Sequence, residues 1–384
     1  MDTKRIRAEI DLDAIEYNAD AVLAKIPRGV KFLAVIKANA YGHGAVPIAH
    51  FLKNKADYFA VATVDEAMEL RRSGIETPLL VLGYFSPDYD EISVRNHIQP
   101  VIFTEESARA LSRAAEKLGM TAECHLSVDT GMSRIGFQPT EASAQTITGI
   151  AALPHLKING IFSHFATADA ADKTEALAQR KRFNDFIRLL AAKKINPPLK
   201  HLCNSAGIME FDEYDDMVRE GIILYGLYPS EEVKRETFPL KPAMSLRSQV
   251  VNVQTLPAGR GISYGRTYIT SRETVVATVP VGYADGYPRC LSNRGQVLIH
   301  GQLCPILGRV CMDQMMVDVS ALTDVKIGDT VTLVGTDGNQ RISVEDVADN
   351  AYSFNYEFVC GVSRRVPRVY LRHGEIVQQV SYLE

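Results

Sequence analysis

A lysine that closes an apolar run is a residue whose amine can do chemistry, and Lys37 follows directly on Phe32-Leu-Ala-Val-Ile36. Against an apolar wall an ammonium is poorly solvated. Its pKa falls toward the range where a neutral, nucleophilic or Schiff-base amine is available. Ala-Asn-Ala-Tyr-Gly-His-Gly44 comes next, with the Tyr41 phenol as a donor and Gly42 and Gly44 leaving the backbone open. The alternative is a solvated lysine at a strand edge; the apolar run before it and the Tyr-Gly-x-Gly turn after it favour chemistry. The Gly-x-Gly alone is weak and lacks a dinucleotide-binding context. The six cysteines (Cys124, Cys203, Cys290, Cys304, Cys311, Cys360) are scattered without a C-x-x-C pair, so they read as reduced, mostly buried thiols rather than disulfides or a zinc site. Cys311 stands out for its neighbours.

The elements that must position Lys37 alternate. Candidate strands are Lys31–Ile36, Tyr58–Ala62, Leu79–Leu82, Ile98–Ile102, Ala122–Leu126, Ile158–Phe162, Lys200–Leu202 and Ile222–Leu224. Helix-period segments such as Asp65–Ser73, Glu105–Leu118 and Thr174–Lys193 lie between them, and Asp13–Lys25 precedes the first, with Asp11 or Asp13 as N-cap. This pattern points to a parallel (β/α)8 TIM-like barrel, with a doubly wound sheet as the alternative. A lysine ending a barrel strand stands at the C-terminal mouth, where barrel enzymes keep their chemistry. From about Leu240 short β-branched runs alternate with glycine turns: Ser248–Gln254, Thr274–Val281, Gly295–Ile299, Met315–Val319, Thr330–Val334 and Arg365–Leu371. These read as a smaller, all-β C-terminal domain. Glu231–Pro239 is the natural linker, giving a barrel over residues 1–238 and a β domain over 239–384.

Composition narrows the class. The chain has 384 residues, enough for two domains, with 46% hydrophobic and 23% charged residues, as in a soluble globular protein. A net charge of −4 offers no basic face, so no nucleic-acid partner is expected. The first ten residues carry no apolar core of signal-peptide length, and no run reaches a membrane span, so a cytoplasmic protein with no membrane partner is expected.

At Ala34-Val-Ile-Lys-Ala-Asn-Ala-Tyr-Gly-His-Gly44 the sequence resembles the pyridoxal-phosphate attachment signature of the alanine racemases, fold-type III enzymes. The resemblance continues in order through Val128–Gly136, Ile161–Phe165, Asn204-Ser205, Met217–Ile222, Gly261–Gly265, Val281–Gly286, Gly308–Gln314 and Asn355–Glu357, spanning nearly the whole chain. It implies an isomerase that interconverts L- and D-alanine by a two-base mechanism with pyridoxal 5'-phosphate as cofactor, supplying D-alanine for peptidoglycan. Racemisation removes a proton from one face of Cα and returns it on the other, so two acid–base groups must oppose each other.

By this resemblance Lys37 is one base and Tyr264 the other, Tyr264 coming from the partner subunit of a homodimer with shared active sites; closure of the site within one chain is the alternative. A phenol with a free pKa near ~10 needs activation, and His164 is similar to the histidine that hydrogen-bonds it. A satisfied core histidine is the alternative. Arg219 resembles the arginine facing the pyridine nitrogen; it can donate to that nitrogen but not protonate it, which weakens the electron sink and suits racemisation. A surface ion pair with Glu220 is the alternative. The cofactor phosphate is expected at Tyr41, Ser205, the backbone of Gly221 and Ile222, and Tyr356. Arg134 is similar to the residue contacting the cofactor phenolic oxygen and the substrate carboxylate. Met312, Asp313 and Tyr283 resemble the substrate-side residues of the β domain, although Met312 alone would read as core.

One position departs from the family. Most members carry a lysine, commonly carbamylated, where this chain has Ser127. Serine cannot be carbamylated, so Arg134 loses its anionic partner, and chloride, another anion or ordered water is expected beside Ser127 and Arg134. Alternatively Ser127 is merely tolerated and backbone groups hold Arg134. The departure leaves serine as a second substrate after alanine, though Tyr356 would crowd a larger side chain. A fold-III amino-acid decarboxylase would lack the Tyr264 block and use a cysteine, for which Cys311 alone is thin support. A pyridoxal-phosphate carrier would need no second base.

Overall fold

In the computed structural model, which describes residues 5–383, the residues that alternate at the start of the chain form a strand, β1 (Ile6–Asp11). Ile6, Ala8 and Ile10 are buried while Arg7 and Glu9 are half-exposed, the signature of a strand covered on one face. It pairs antiparallel with Met244–Gln249 and parallel with Arg368–Arg372. The chain therefore divides into one compact unit of Glu16–Ala40 with Ala45–Lys241, and another of the segment up to Ile15, Tyr41–Gly44 and everything from Pro242. A cut at 238/239 places β1 with the barrel. The structure puts it in the β sheet, because barrel strands, covered on both faces, read as continuous apolar runs rather than alternations.

The first unit is built on eight parallel strands: β2 (Lys31–Val35), β3 (Tyr58–Val61), β4 (Leu79–Val81), β5 (Ile98–Ile102), β6 (Ala122–Ser127), β7 (Leu156–Phe162), β8 (Leu199–His201) and β9 (Met217–Glu220). Neighbours in sequence are neighbours in space, and β9 returns to pair with β2. Asp216 N–H donates to Lys200 O at 2.9 Å and Arg219 N–H to Cys203 O at 3.0 Å, closing β9 against the β8 side. That ring is a barrel, not a doubly wound sheet. Helices at Val64–Arg72, Glu105–Leu118 and Thr174–Ala192 lie where the periodicity places them. Asp11 is the N-cap of Leu12–Lys25, its Oδ1 accepting from Asp13 N at 2.8 Å and Ala14 N at 3.1 Å.

The last barrel strand is not at Ile222–Leu224 as expected. It is β9, and Ile222–Tyr225 is a 3-10 turn just beyond it. Met217-Val-Arg-Glu220 carries two ionisable side chains and does not look like a barrel strand in sequence, yet all four residues are buried.

The second unit holds an eleven-stranded sheet. The run at Ser248–Gln254 is two strands, Met244–Gln249 and Asn252–Leu256. Gln302–Leu307 and Glu375–Val380 were not foreseen; the first exposes half of its residues and the second nearly all, which weakens the apolar signal. Among the described residues the cysteines form no disulfide, but only Cys124, Cys203 and Cys304 are buried, with Cys290 and Cys360 exposed. Among the described residues, no helix is long and apolar enough to cross a membrane, and no cluster of His, Cys, Asp and Glu could hold a metal ion.

Candidate active site

Lys37 leaves the end of β2 half-buried and enters a turn of unusual hand. Ala38 (φ 50°, ψ 48°), Asn39 (φ 54°, ψ 48°) and Ala40 (φ 54°, ψ 51°) are all in the left-handed region, and Tyr41 follows at φ 50°. For L-residues this costs roughly 1–2 kcal/mol each, so the scaffold must hold the turn. Glu66 does much of that. Its carboxylate accepts from Ala38 N at 2.7 Å, Ala62 N at 2.7 Å and Thr63 N at 3.3 Å, while Thr63 caps the helix that Glu66 belongs to. Asn39 Oδ1 accepts from Ala45 N at 2.9 Å. The two glycines after the turn serve the other unit, where a Cβ on Gly42 would lie 2.0 Å from Val359 O and one on Gly44 1.8 Å from the Tyr370 hydroxyl.

Lys37 lines a cavity of about 280 Å³ at the C-terminal mouth of the barrel, together with Tyr84, Ser127, Met132, Arg134 and His164. Burial holds the His164 imidazole well below its ordinary pKa, and the positive Arg219, Arg134 and Lys37 nearby push the same way, so it is neutral at physiological pH. Asn204 Oδ1 caps Ser205–Glu210 through Gly207 N, which leaves its Nδ2 as the donor to His164 Nε2 at 3.4 Å. His164 Nδ1 then carries the ring proton. It is not a satisfied core histidine: it is half-buried and faces the cavity.

Arg134 is exposed and makes no hydrogen bond or ion pair among the described residues. Ser127 is buried, its hydroxyl reaching Ile135 O at a long 3.4 Å. Among the described residues no carboxylate pairs with Arg134 and no backbone carbonyl holds it. Asp129 shapes its loop instead, with Oδ1 accepting from Gly131 N at 3.0 Å and Ser133 N at 2.9 Å.

Arg219 is 2% exposed, which removes the surface ion pair as a reading. Its terminal nitrogens donate to His201 Nδ1, His201 O and Ser163 O at 2.8 Å and to Leu202 O at 2.9 Å. All four terminal N–H groups are thus committed to protein, leaving Nε–H as the donor for a ligand. Burial lowers its pKa to about 10, and it stays protonated at neutral pH. Ser205 and Gly221 meet at the same end of the barrel, Gly221 N–H donating to Ser205 Oγ at 2.9 Å. This sets the starts of Ser205–Glu210 and Ile222–Tyr225 side by side.

In the β unit, Tyr264, Met312 and Asp313 line one open pocket with Ser263, Cys311 and Gln314. Tyr264 is 70% exposed and Met312 52%, so Met312 is not core. Tyr283 is exposed too, and its N–H donates to Cys311 O at 3.1 Å, fastening its turn to the Met312 segment. Asp313 pairs with Arg365 at 2.8 Å. Tyr41 and Tyr356 stand together in this unit with ring centroids 6.1 Å apart, and burial, then Cys360, raises the Tyr41 phenol pKa.

The chain matches the alanine racemase N-terminal domain model over residues 10–229 and the alanine racemase C-terminal domain model over residues 243–370. The chain belongs to the alanine racemase family. It is 44% identical to alanine racemase of Clostridium novyi, covering 98% of both chains, and 46% identical to that of Methanococcus maripaludis over 95% of this chain and 98% of the relative. The solved structure of alanine racemase from Clostridium difficile 630 superposes with a TM-score of 0.97 at 41% identity, covering 100% of each chain.

Within this alanine racemase fold, several residues of the barrel unit escaped the sequence reading. Glu66 looked like an ordinary first-turn acid of a helix, though its capping-box spacing from Thr63 was visible. His201, His125 and Gln99 were hidden in strands; the available signal was the polar residues that interrupt these apolar barrel runs, Gln99 alone in β5, His125 beside Glu123 in β6 and His201 beside Lys200 in β8.

Proposed function

We propose that this protein racemises alanine with pyridoxal 5'-phosphate, Lys37 and Tyr264 serving as the two bases. The observation that carries the reading is the mouth of the barrel, where Lys37, His164 and Arg134 line one cavity and Arg219 keeps only Nε–H uncommitted. The donor set fits the cofactor. The barrel unit offers an amine at Lys37, a hydroxyl at Ser205, backbone groups at Gly221 and Ile222, and at Arg219 a fixed cation that could face a pyridine nitrogen. Tyr41 and Tyr356 are the further hydroxyls assigned to the phosphate. When bound, the cofactor supplies the electron sink that acidifies the Cα–H bond of an amino acid.

The protein's own residues supply the rest. Lys37 Nζ holds or delivers the proton on one face of Cα. The phenol oxygen of Tyr264 does so on the other. Tyr264 is open to solvent on its own unit, beside the exposed Met312 and Tyr283. That supports a homodimer in which Tyr264 of the partner subunit completes the mouth, with Met312, Asp313 and Tyr283 of the partner subunit bounding the substrate. His164, with its proton on Nδ1, is the neutral donor that would stabilise the phenolate there. Arg134 binds the substrate carboxylate, and an anion such as chloride balances it in the space beside Ser127. Arg219 would donate to the cofactor's ring nitrogen without protonating it, which would make the cofactor a weaker electron sink. The product suits cell-wall peptidoglycan, and thiols outside any disulfide suit the cytoplasm.

The test is a racemisation assay on L-alanine, L-serine and larger amino acids with the purified, cofactor-loaded protein. Optical activity of L-alanine should be lost without release of carbon dioxide, and Lys37→Ala should abolish both the imine absorption band and turnover. Full turnover by Lys37→Ala would remove the lysine from the mechanism.

A further inference from the structure

A line of buried polar side chains runs from Arg219 through the interior of the barrel. Arg219 has no acceptor, so His201 Nδ1, 2.8 Å from its NH1, must be unprotonated, and His201 carries its proton on Nε2. That Nε2–H donates to His125 Nδ1 at 2.9 Å, which puts the His125 proton on Nε2, where it donates to Gln99 Oε1 at 3.1 Å. Gln99 Nε2 in turn donates to Glu123 Oε2 at 2.9 Å, and Asn159 Nδ2 donates to Gln99 Oε1 at 3.2 Å, fixing which way the amide faces. Every bond points away from Arg219, and one reversal anywhere would set two donors against each other.

The fold makes room for this chain. The pairing of β6 with β7 shifts register between Cys124 and His125, and Gly160 stands opposite. A Cβ on Gly160 would lie 2.3 Å from His125 Nδ1, the atom that receives His201. His201 stacks on Phe162 with centroids 4.9 Å apart at 15°, so its ring plane is fixed as well. Both histidines are fully buried, and burial followed by the Arg219 charge lowers His125 to about 3 and His201 well below its ordinary value. Neither becomes a cation that would repel Arg219.

We infer that Gln99 and His125 are positioning residues for Arg219. By accepting from His125, Gln99 locks both imidazoles in the Nε2–H form and thereby keeps His201 Nδ1 available to the guanidinium. The inference rests on the assignment of Arg219 to the cofactor nitrogen. Replacing Gln99 with an apolar residue lets His125 move its proton to Nδ1; His201 must then turn its own proton toward Arg219, which loses an anchor.

Nitrogen-15 NMR of histidine-labelled holoenzyme reads this directly. In the wild type, His125 and His201 should both show the neutral Nε2–H form. In Gln99→Met, and independently in Gly160→Ala, His201 should leave that form. Loss of one charge-assisted anchor should lower kcat for alanine about tenfold with little change in KM. A wild-type His201 protonated on Nδ1, or a Gln99→Met enzyme with both tautomers and kcat unchanged, would overturn the inference. The tautomers of the wild type are measured without turnover, so a protein that fails to racemise alanine would sink the functional reading and leave the relay to be judged by NMR alone.

Discussion

At the barrel mouth, Lys37 is half-buried among groups whose positions are set by the protein: His164 by Asn204, Arg219 by four acceptors, the lysine's own turn by Glu66 and Asn39. On the β unit, Tyr264 stands 70% exposed on a short turn flanked by Ser263 (φ 63°), Gly265 (φ 72°) and Arg266 (φ 49°), with Ser263 Oγ donating to Arg309 O at 2.6 Å. Both residues adjoin backbone of positive φ. Only one is surrounded. The contrast teaches that the two proposed bases are prepared differently: the lysine by its own unit, the tyrosine only in backbone, so its chemical environment has to come from whatever covers it.

The largest test of this contrast is Tyr264→Phe. It should cut racemisation by roughly 10²–10⁴, the usual worth of a positioned acid–base group. Because the equilibrium constant between enantiomers is one, the two directions must fall together in kcat/KM. What should survive is exchange of the Cα proton with D₂O for one enantiomer only, through Lys37. Equal exchange of both enantiomers would merge the two roles.

Glu66→Gln probes the lysine side. An amide keeps one acceptor but cannot serve Ala38, Ala62 and Thr63 with charge, so a loss of about tenfold in kcat is expected, from a weakening on the order of 1.5 kcal/mol. Solvent exchange through Tyr264 should fall less than exchange through Lys37. An unchanged rate would show that the turn needs no such anchor.

The smallest effect is expected at Arg134. If an anion balances it, replacing chloride with a bulky organic anion should raise KM for alanine by roughly two- to fivefold, the scale of an exposed charge pair. Ser127→Asp, which builds the anion into the chain, should abolish that dependence. A KM indifferent to the halide in both proteins would discard the anion.

Much of this was legible in the residues. The barrel strands announced themselves as short apolar runs, and Lys37 could be placed at a strand end from Phe32–Ile36 alone. β9 was not legible, because Arg219 and Glu220 look solvent-facing until a closed barrel gives a polar side chain an interior to point into. β1 was misassigned because pairing partners more than 200 positions away leave no local trace. The relay through His125 and Gln99 was invisible for the same reason: each member is one polar residue on a different strand, and only the closed ring brings them into line.

The left-handed turn after Lys37 has a consequence for how the protein must fold. Three successive L-residues in the mirror-image region together cost several kcal/mol, comparable with the net stability of a typical domain. No peptide cut from this stretch would hold that shape, so the turn cannot act as a nucleus. It closes only once the helix bearing Glu66 is docked and its carboxylate is in place. The amine therefore comes to attention late, in a chain that is already folded, and a D-alanine introduced at position 38 by chemical synthesis would take up its conformation there without resistance.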